Sequence, residues 1–191
     1  MAFPATSKTY LLDANVIYSY SLRDCFVTLA VMGVRVRWSD QIEAEFIEAR
    51  RRKSEQQGLQ AQQVVALMRA AVPDYRAVAS ARRINALTLP DPDDRHVLAA
   101  AIQTGADVIV TGNRRDFPHA ALAPHGIMTL TPDQALCEIH DEDPERMVQA
   151  AADMRARMAA PPHSPEAWLA RLETAGAKAL TDCLRPFASR L

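Results

Sequence analysis

The stretch VIVTGNRRDF, residues 108–117, begins as a buried strand and ends in a cluster of reactive groups. Val108, Ile109 and Val110 are apolar and β-branched without a break, the pattern of a strand covered on both faces in a parallel sheet. Thr111, Gly112 and Asn113 then replace the apolar run with small polar groups, and Arg114 and Arg115 stand beside Asp116 and Phe117. TYLLDANVIY, residues 9–18, is built alike: Tyr10, Leu11 and Leu12 run straight into Asp13. In open parallel α/β sheets ligands bind outside the carboxyl ends of the strands. Asp13, Thr111, Asn113 and Asp116 are therefore the first groups to consider.

Outward from these strands, VRVRW (residues 34–38) alternates and reads as a strand with one wetter face, and IMTL (127–130) reads as a last short strand. Helices are expected over residues 22–32, closing at Gly33, and from Ser39 as N-cap through to Gly58. Another is expected over 59–71, ending before Pro73, and residues 74–89 read as a short helix and an extended piece. DPDDRHVLAAAIQTG, residues 91–105, is a helix opened by Pro92 and acidic residues and closed by Gly105. Thr131 caps one more, with Pro132 at its first position. Gly58, Gly105 and Gly126 read as punctuation between elements. Strands alternating with helices over short connectors imply βαβ crossovers and a parallel sheet.

From about residue 141 the strands stop. Met147, Ala151, Met154 and Met158 form an apolar stripe at helical spacing. PPHSP, residues 161–165, breaks the chain. Trp168, Leu172 and Ala175, then Leu180, Cys183, Leu184 and Phe187, mark two further helices. The expected organisation is a domain over residues 1–140 and a small all-helical extension over 141–191. The methionine stripe either packs on the protein's own core or receives a partner helix, since methionine surfaces adapt to their partners.

Composition narrows the function classes. The chain of 191 residues is 49% hydrophobic and 24% charged, with a net charge of −1, so no global field draws it to nucleic acid or membrane. Three separated cysteines with no C-x-x-C argue against a disulfide framework or a structural zinc site. The first residues lack the apolar core of a signal peptide, and no apolar run approaches a membrane span, so a soluble cytoplasmic protein is expected.

The carboxylates carry the chemistry. On its helix Asp94 shares a stripe with Val97, Leu98 and Ala101, so it faces inward and needs a partner. Each acid has a plain structural role available: Asp13 as a helix cap, Asp94 as a helix-start acid, Asp116 as an ion pair with Arg114 or Arg115. Several acids converging on one sheet edge repel one another and raise their pKa values, and a divalent cation is the natural compensation. An all-oxygen ligand set suits magnesium or manganese, not zinc. On the helix after the second strand, Ile42, Phe46 and Ala49 point inward and leave Glu48 outside. Glu43 and Glu45 both border the buried stripe, and helical geometry does not choose between them. Arg50–Lys53, Arg82 with Arg83, and Arg114 with Arg115 are the basic clusters available for a polyanion.

LLDANVI, an acid within SDQIEAEF, DPDDRHVLAAAI and ADVIVTGNRRDF occur in an order and spacing similar to PIN-domain ribonucleases, and most like the VapC toxins of bacterial toxin–antitoxin pairs. The resemblance covers about residues 8–140. It implies a three-layer α/β/α PIN-like domain with a central parallel sheet. It also implies a metal-dependent endoribonuclease using Mg²⁺ or Mn²⁺, with Asp13, Glu45, Asp94 and Asp116 as the catalytic acids. Asp13, Asp94 and Asp116 would hold the metal. Asn15, Thr111 and Asn113 match supporting polar positions, with Arg114 toward the substrate phosphate. Asp93 competes with Asp94 for its position, as Glu43 does with Glu45. The partners implied are RNA, with transfer RNA as one candidate, a cognate antitoxin and a second copy of the chain; no membrane is implied. The competing class is a PIN-like binding module whose activity has lapsed. A phospho-acceptor receiver domain lacks its paired acids and late lysine here, a D-x-D phosphohydrolase is excluded by Asp13-Ala14-Asn15, and no Gly-rich phosphate loop is present.

Overall fold

Strand β1 (Thr9–Leu12) is buried along its whole length, as its unbroken apolar run requires. The computed structural model describes residues 8–158 and 163–191. In it β1 joins β2 (Arg35–Arg37), β3 (Val108–Val110) and β4 (Met128–Leu130) in a four-stranded sheet of order β2-β1-β3-β4. All three pairings are parallel, with Tyr10 opposite both Val36 and Val108 and with Val108 opposite Met128.

α1 (Ala14–Tyr18) and α2 (Tyr20–Val31) carry the chain from β1 to β2. α3 (Asp40–Arg51), α4 (Glu55–Ala71), α5 (Ala81–Ala86) and α6 (Arg95–Thr104) lead from β2 to β3. α7 (His119–Leu122) leads from β3 to β4. α8 (Pro132–Glu142), α9 (Pro144–Arg157), α10 (Pro165–Thr174) and α11 (Lys178–Leu184) follow the sheet. The chain leaves β1 toward β2 but leaves β3 toward β4, and right-handed crossovers then place the connecting helices on opposite faces. α2 packs with α9, while α6 rests on β1 and β3, giving the three-layer α/β/α architecture. The point where the two directions part lies between β1 and β3, the position at which such sheets bind ligands.

Two expectations change. The break between the two helices expected over residues 39–58 and 59–71 comes earlier: α3 stops at Arg51, and Ser54 caps α4 by accepting the N–H of Gln57. Gly58 therefore lies inside α4, not at a boundary. A Cβ there would stand 3.0 Å from Arg51 Cβ and 3.2 Å from Arg51 Cα, so glycine lets the two helices cross closely. Gly105 and Gly126 do mark boundaries, at φ values of 61° and 68°. Of the two roles open to the methionine stripe, the structure has the first, packing on the protein's own core. Met147 and Ala151 are 0% exposed and Met154 is 2% exposed, within the core that α9 shares with α2. The break expected at PPHSP falls partly on residues 161 and 162, outside the described residues; from Ser164, which caps α10, the chain is helical again.

The extension is tied to the sheet domain by polar contacts as well as by apolar burial. Asp133 on α8 accepts the N–H groups of Ala179 (2.9 Å) and Leu180 (2.9 Å) and so caps α11. Arg157 on α9 donates to Asp24 (3.0 Å) and Thr28 (2.7 Å) of α2. Trp168, Leu172, Leu180 and Leu184 belong to the same apolar cluster as the strands. Among the described residues no helix is long and apolar enough to cross a membrane.

Candidate functional site

Leu12 pairs with Val110, so the next residues, Asp13 and Thr111, leave the sheet side by side. Thr111 is fully buried, and its hydroxyl donates to Asp13 Oδ2 at 2.7 Å. Asn15, the second residue of α1, donates from Nδ2 to the same oxygen at 2.5 Å and to Thr111 Oγ1 at 3.1 Å. Asp13 Oδ1 accepts the N–H of Ala14 at 2.6 Å, so this acid also has the helix-capping role open to it in the sequence, on α1, which begins well before residue 22 where the first helix was expected. Both oxygens are thus fixed. Burial raises the pKa of Asp13, and Glu45 adds to that, while the bonds from Thr111 and Ala14 oppose it. Gly112 donates its N–H to Asn15 Oδ1 at 2.9 Å, and a Cβ on Gly112 would meet that oxygen at an ordinary 3.5 Å. Its contribution is the N–H, and close backbone approach does not require glycine there.

The second half of the site comes from the start of α6 and the turn after β3. Pro92–Asp94 form a 3-10 turn whose cap is Asp91, with Asp91 Oδ1 accepting the N–H of Asp93 at 2.9 Å. Asp94 is half-buried at the head of α6, and Asp93 points outward. Asp116, in the 3-10 turn Arg114–Asp116, accepts from Asn113 Nδ2. One carboxylate oxygen each from Asp91, Asp94 and Asp116 lies within 4.8 Å of the others. The pKa of Asp94 is pushed up to about 7, first by burial and then by Asp13, Asp91, Asp116 and Glu45. The donors recorded on these acids are all neutral groups: backbone N–H, Asn and Thr. Such a donor set, all oxygen and electrostatically uncompensated, fits a hard divalent cation.

The two glutamates of α3 separate cleanly. Glu43 is 1% exposed and points away from the acids, accepting from Trp38 Nε1 at 2.8 Å and pairing with Arg69. Glu45 stands at the rim, 44% exposed, with Oε1 2.5 Å from Nε2 of buried His96. His96 Nδ1 is buried without a partner. A neutral imidazole has one donor and one acceptor nitrogen, so we assign the proton to Nε2, which donates to Glu45.

Of the residues expected from the sequence, Asp13, Asn15, Glu45, Asp94, Thr111, Asn113 and Asp116 meet at this edge, while Arg114 is exposed just beyond it. Two further members lie outside the set expected from the sequence. Asp91 reads in the sequence as part of an acidic helix opening; an Asp before Pro at a helix start is an N-cap whose second oxygen stays available. His96 follows Asp94 by two residues in DDRHVLA, off the inward stripe of Asp94, Val97, Leu98 and Ala101. Two grooves flank the acids. One of about 630 Å³ runs between α1 and α3 along Asn15, Tyr18, Glu45, Ala49 and Arg52. The other, of about 430 Å³, runs past Arg114, Arg115, His119 and Met128 toward the β4 side.

Comparison with known proteins gives two family matches. The PIN domain matches residues 9–115, and the VapC50 C-terminal domain matches residues 132–186. The curated protein "Putative ribonuclease VapC50" of Mycobacterium tuberculosis (strain ATCC 25618 / H37Rv) is 40% identical over 74 residues, which is 37% of this chain and 44% of that protein. The alignment thus spans less than half of that relative. No solved structure matches.

Proposed function

The chain belongs to the PIN-domain family, and from that premise we propose that it is a divalent-cation-dependent endoribonuclease, the toxin of a toxin–antitoxin pair. The observation that carries the reading is the gathering of Asp91, Asp94 and Asp116 around one point, with Asp94 driven up to about 7 by burial and by the other acids. An edge that served only stability would place an arginine there. Asp91, Asp94 and Asp116 would hold Mg²⁺ or Mn²⁺, with Asp13 beside them. A cation bound there would polarise the scissile phosphate and offset the acids' repulsion of it.

The protein's own groups do the rest. Thr111, Asn15 and Ala14 fix both oxygens of Asp13, so its charge is in place before substrate arrives. Asn113 turns Asp116 toward Asp94. His96 holds one oxygen of Glu45 and leaves the other to accept a proton from the attacking water. Attack by that water at phosphorus breaks the bond to the 3′-oxygen, which takes up a proton from solvent, leaving a 3′-hydroxyl and a 5′-phosphate. Arg114, exposed at the turn, meets a phosphate oxygen.

The proposal extends to the division between a nuclease domain, residues 1–140, and a helical extension, 141–191. It also includes a cognate antitoxin, a homodimer and transfer RNA as a substrate class, which the resemblance to VapC toxins supports. The test is cleavage of total cellular RNA by the partner-free protein with Mg²⁺ or Mn²⁺. Discrete cuts bearing 5′-phosphates are expected, lost with EDTA and reduced more than about 100-fold in Asp94→Asn. Neither cleavage nor cation binding by calorimetry would reject the nuclease in favour of a binding module.

A further inference from the structure

The groove between α1 and α3 opens directly from the acids, since Asn15 and Glu45 belong to both. Its wall is an aromatic side chain with fixed surroundings. Arg50 lies over the Tyr18 ring at 4.2 Å and donates to the Tyr18 carbonyl at 3.0 Å; Phe46 meets the ring edge-on at 6.3 Å. Lys53 Nζ lies 5.3 Å from the same ring and lowers the phenol pKa through a hydrogen bond. Ala14, Ala44 and Ala49 give the lining small apolar surfaces. At the far end stands Arg52, 77% exposed, with a 3.4 Å contact to Glu48. Glu48 also receives Arg51 at 3.2 Å, so the groove's second glutamate is already compensated.

We propose that this groove binds the nucleotide next to the cleaved bond, with its base packed against Tyr18 and its outer phosphate on Arg52 and Lys53. The inference rests on the nuclease reading and gives it a substrate contact. An aromatic wall accepts any base, because every base has a π-face. The order of groups fits a polynucleotide: acids for the scissile phosphate, an apolar and aromatic stretch, then cations for the next phosphate. A volume of about 630 Å³ suits a ligand of nucleotide size. A peptide helix would need a longer apolar strip than three alanines and the rings of Tyr18 and Phe46 provide. The sequence shows Arg50–Lys53 only as a basic run; the fold places Arg52 in the lining of a groove that begins at the acids, with Lys53 beside the groove's aromatic wall.

The experiment reads binding and cleavage separately. A fluorescein-labelled single-stranded RNA of ten nucleotides and mixed sequence is titrated by anisotropy onto Asp94→Asn protein, which keeps the groove. Onto this background Arg52→Glu and Tyr18→Leu are added one at a time. Each is expected to weaken binding about tenfold, with Arg52→Glu also lowering the log–log salt slope by about one. In the otherwise wild-type protein the same changes raise KM about tenfold and leave kcat within about twofold. Arg52 is exposed, so Arg52→Glu tests the groove even if Tyr18→Leu fails to fold. Unchanged binding and KM in Arg52→Glu, with wild-type cleavage intact, would overturn the groove and leave the nuclease standing. A fall in kcat with KM unmoved would also overturn it. RNA binding that depends on the groove, without any cleavage, would keep the groove and reject the nuclease. Neither binding nor cleavage would reject both.

Discussion

Glu43 and Glu45 lie two residues apart on one helix and belong to acidic regions built on opposite rules. Around Glu43 every acid meets a strong donor or a cation. Trp38 donates to it, Arg69 pairs with it and also lies 3.6 Å from Asp40, and Arg76 bonds Asp40 at 3.0 Å and 2.5 Å. Trp38 stacks on Tyr75 at 4.8 Å above this network, which ties α3, α4 and the end of β2 together. Around Glu45 five acids face one another, and no lysine or arginine donates to them; their donors are backbone N–H, Asn, Thr and the Nε2–H of His96. Burial alone does not mark a functional carboxylate, since Glu43 is the more buried of the two. Missing compensation does.

The largest expected effect on stability lies on the compensated side. Glu43→Gln leaves Arg69 facing a neutral amide and removes a charged acceptor from Trp38, and should cost about 2 kcal/mol in urea unfolding. Cleavage by the folded fraction should be unchanged. A smaller loss, or a gain, would break the comparison by showing that Glu43 too is held against its preference.

The next effect has the opposite sign. Burial and the neighbouring acids push the Asp94 carboxyl up to about 7 from the ordinary 3.8 of an aspartate. Below the lower value it is protonated whether folded or unfolded. As pH rises toward 7 the unfolded chain releases this proton first, so the metal-free protein loses stability and then levels off. Discounted for partial exposure, the loss is about 1–2 kcal/mol. In EDTA, Asp94→Asn should therefore unfold at higher urea than wild type at pH 8 and at nearly equal urea near pH 4. A flat difference between the two pH values would mean that the other acids do not press on Asp94.

The sequence made the compensated and uncompensated acids look alike, and the reason is physical. Periodicity reports which way a residue faces relative to its own helix. It therefore sufficed for Asp13 and Thr111 at the ends of apolar runs and for Asp94 on its inward stripe. Partners supplied from other elements leave no periodic trace. Arg69 lies 26 residues beyond Glu43 on α4, and His96 lies 51 residues beyond Glu45 on α6. The choice between the two glutamates thus depends on which helix packs where. The short elements were obscured differently: α1 is only five residues long, and the break before α4 is signalled by a single serine cap inside a continuous run of helix formers.

The smallest effect is the sharpest use of the comparison. Glu45→Gln makes the same chemical change as Glu43→Gln, on the same helix. Glu45 is 44% exposed and its one recorded partner is His96, to which a glutamine carbonyl can still offer an acceptor. The change also removes one of the charges that raise Asp94. Lost attraction to His96 and relieved repulsion at Asp94 oppose each other, so unfolding should shift by no more than about 0.5 kcal/mol. RNA cleavage should nevertheless fall, about 100-fold if Glu45 takes the proton of the attacking water. Equal destabilisation by the two substitutions would mean that Glu45 is another structural acid, and the proton acceptor would then have to be sought among the aspartates.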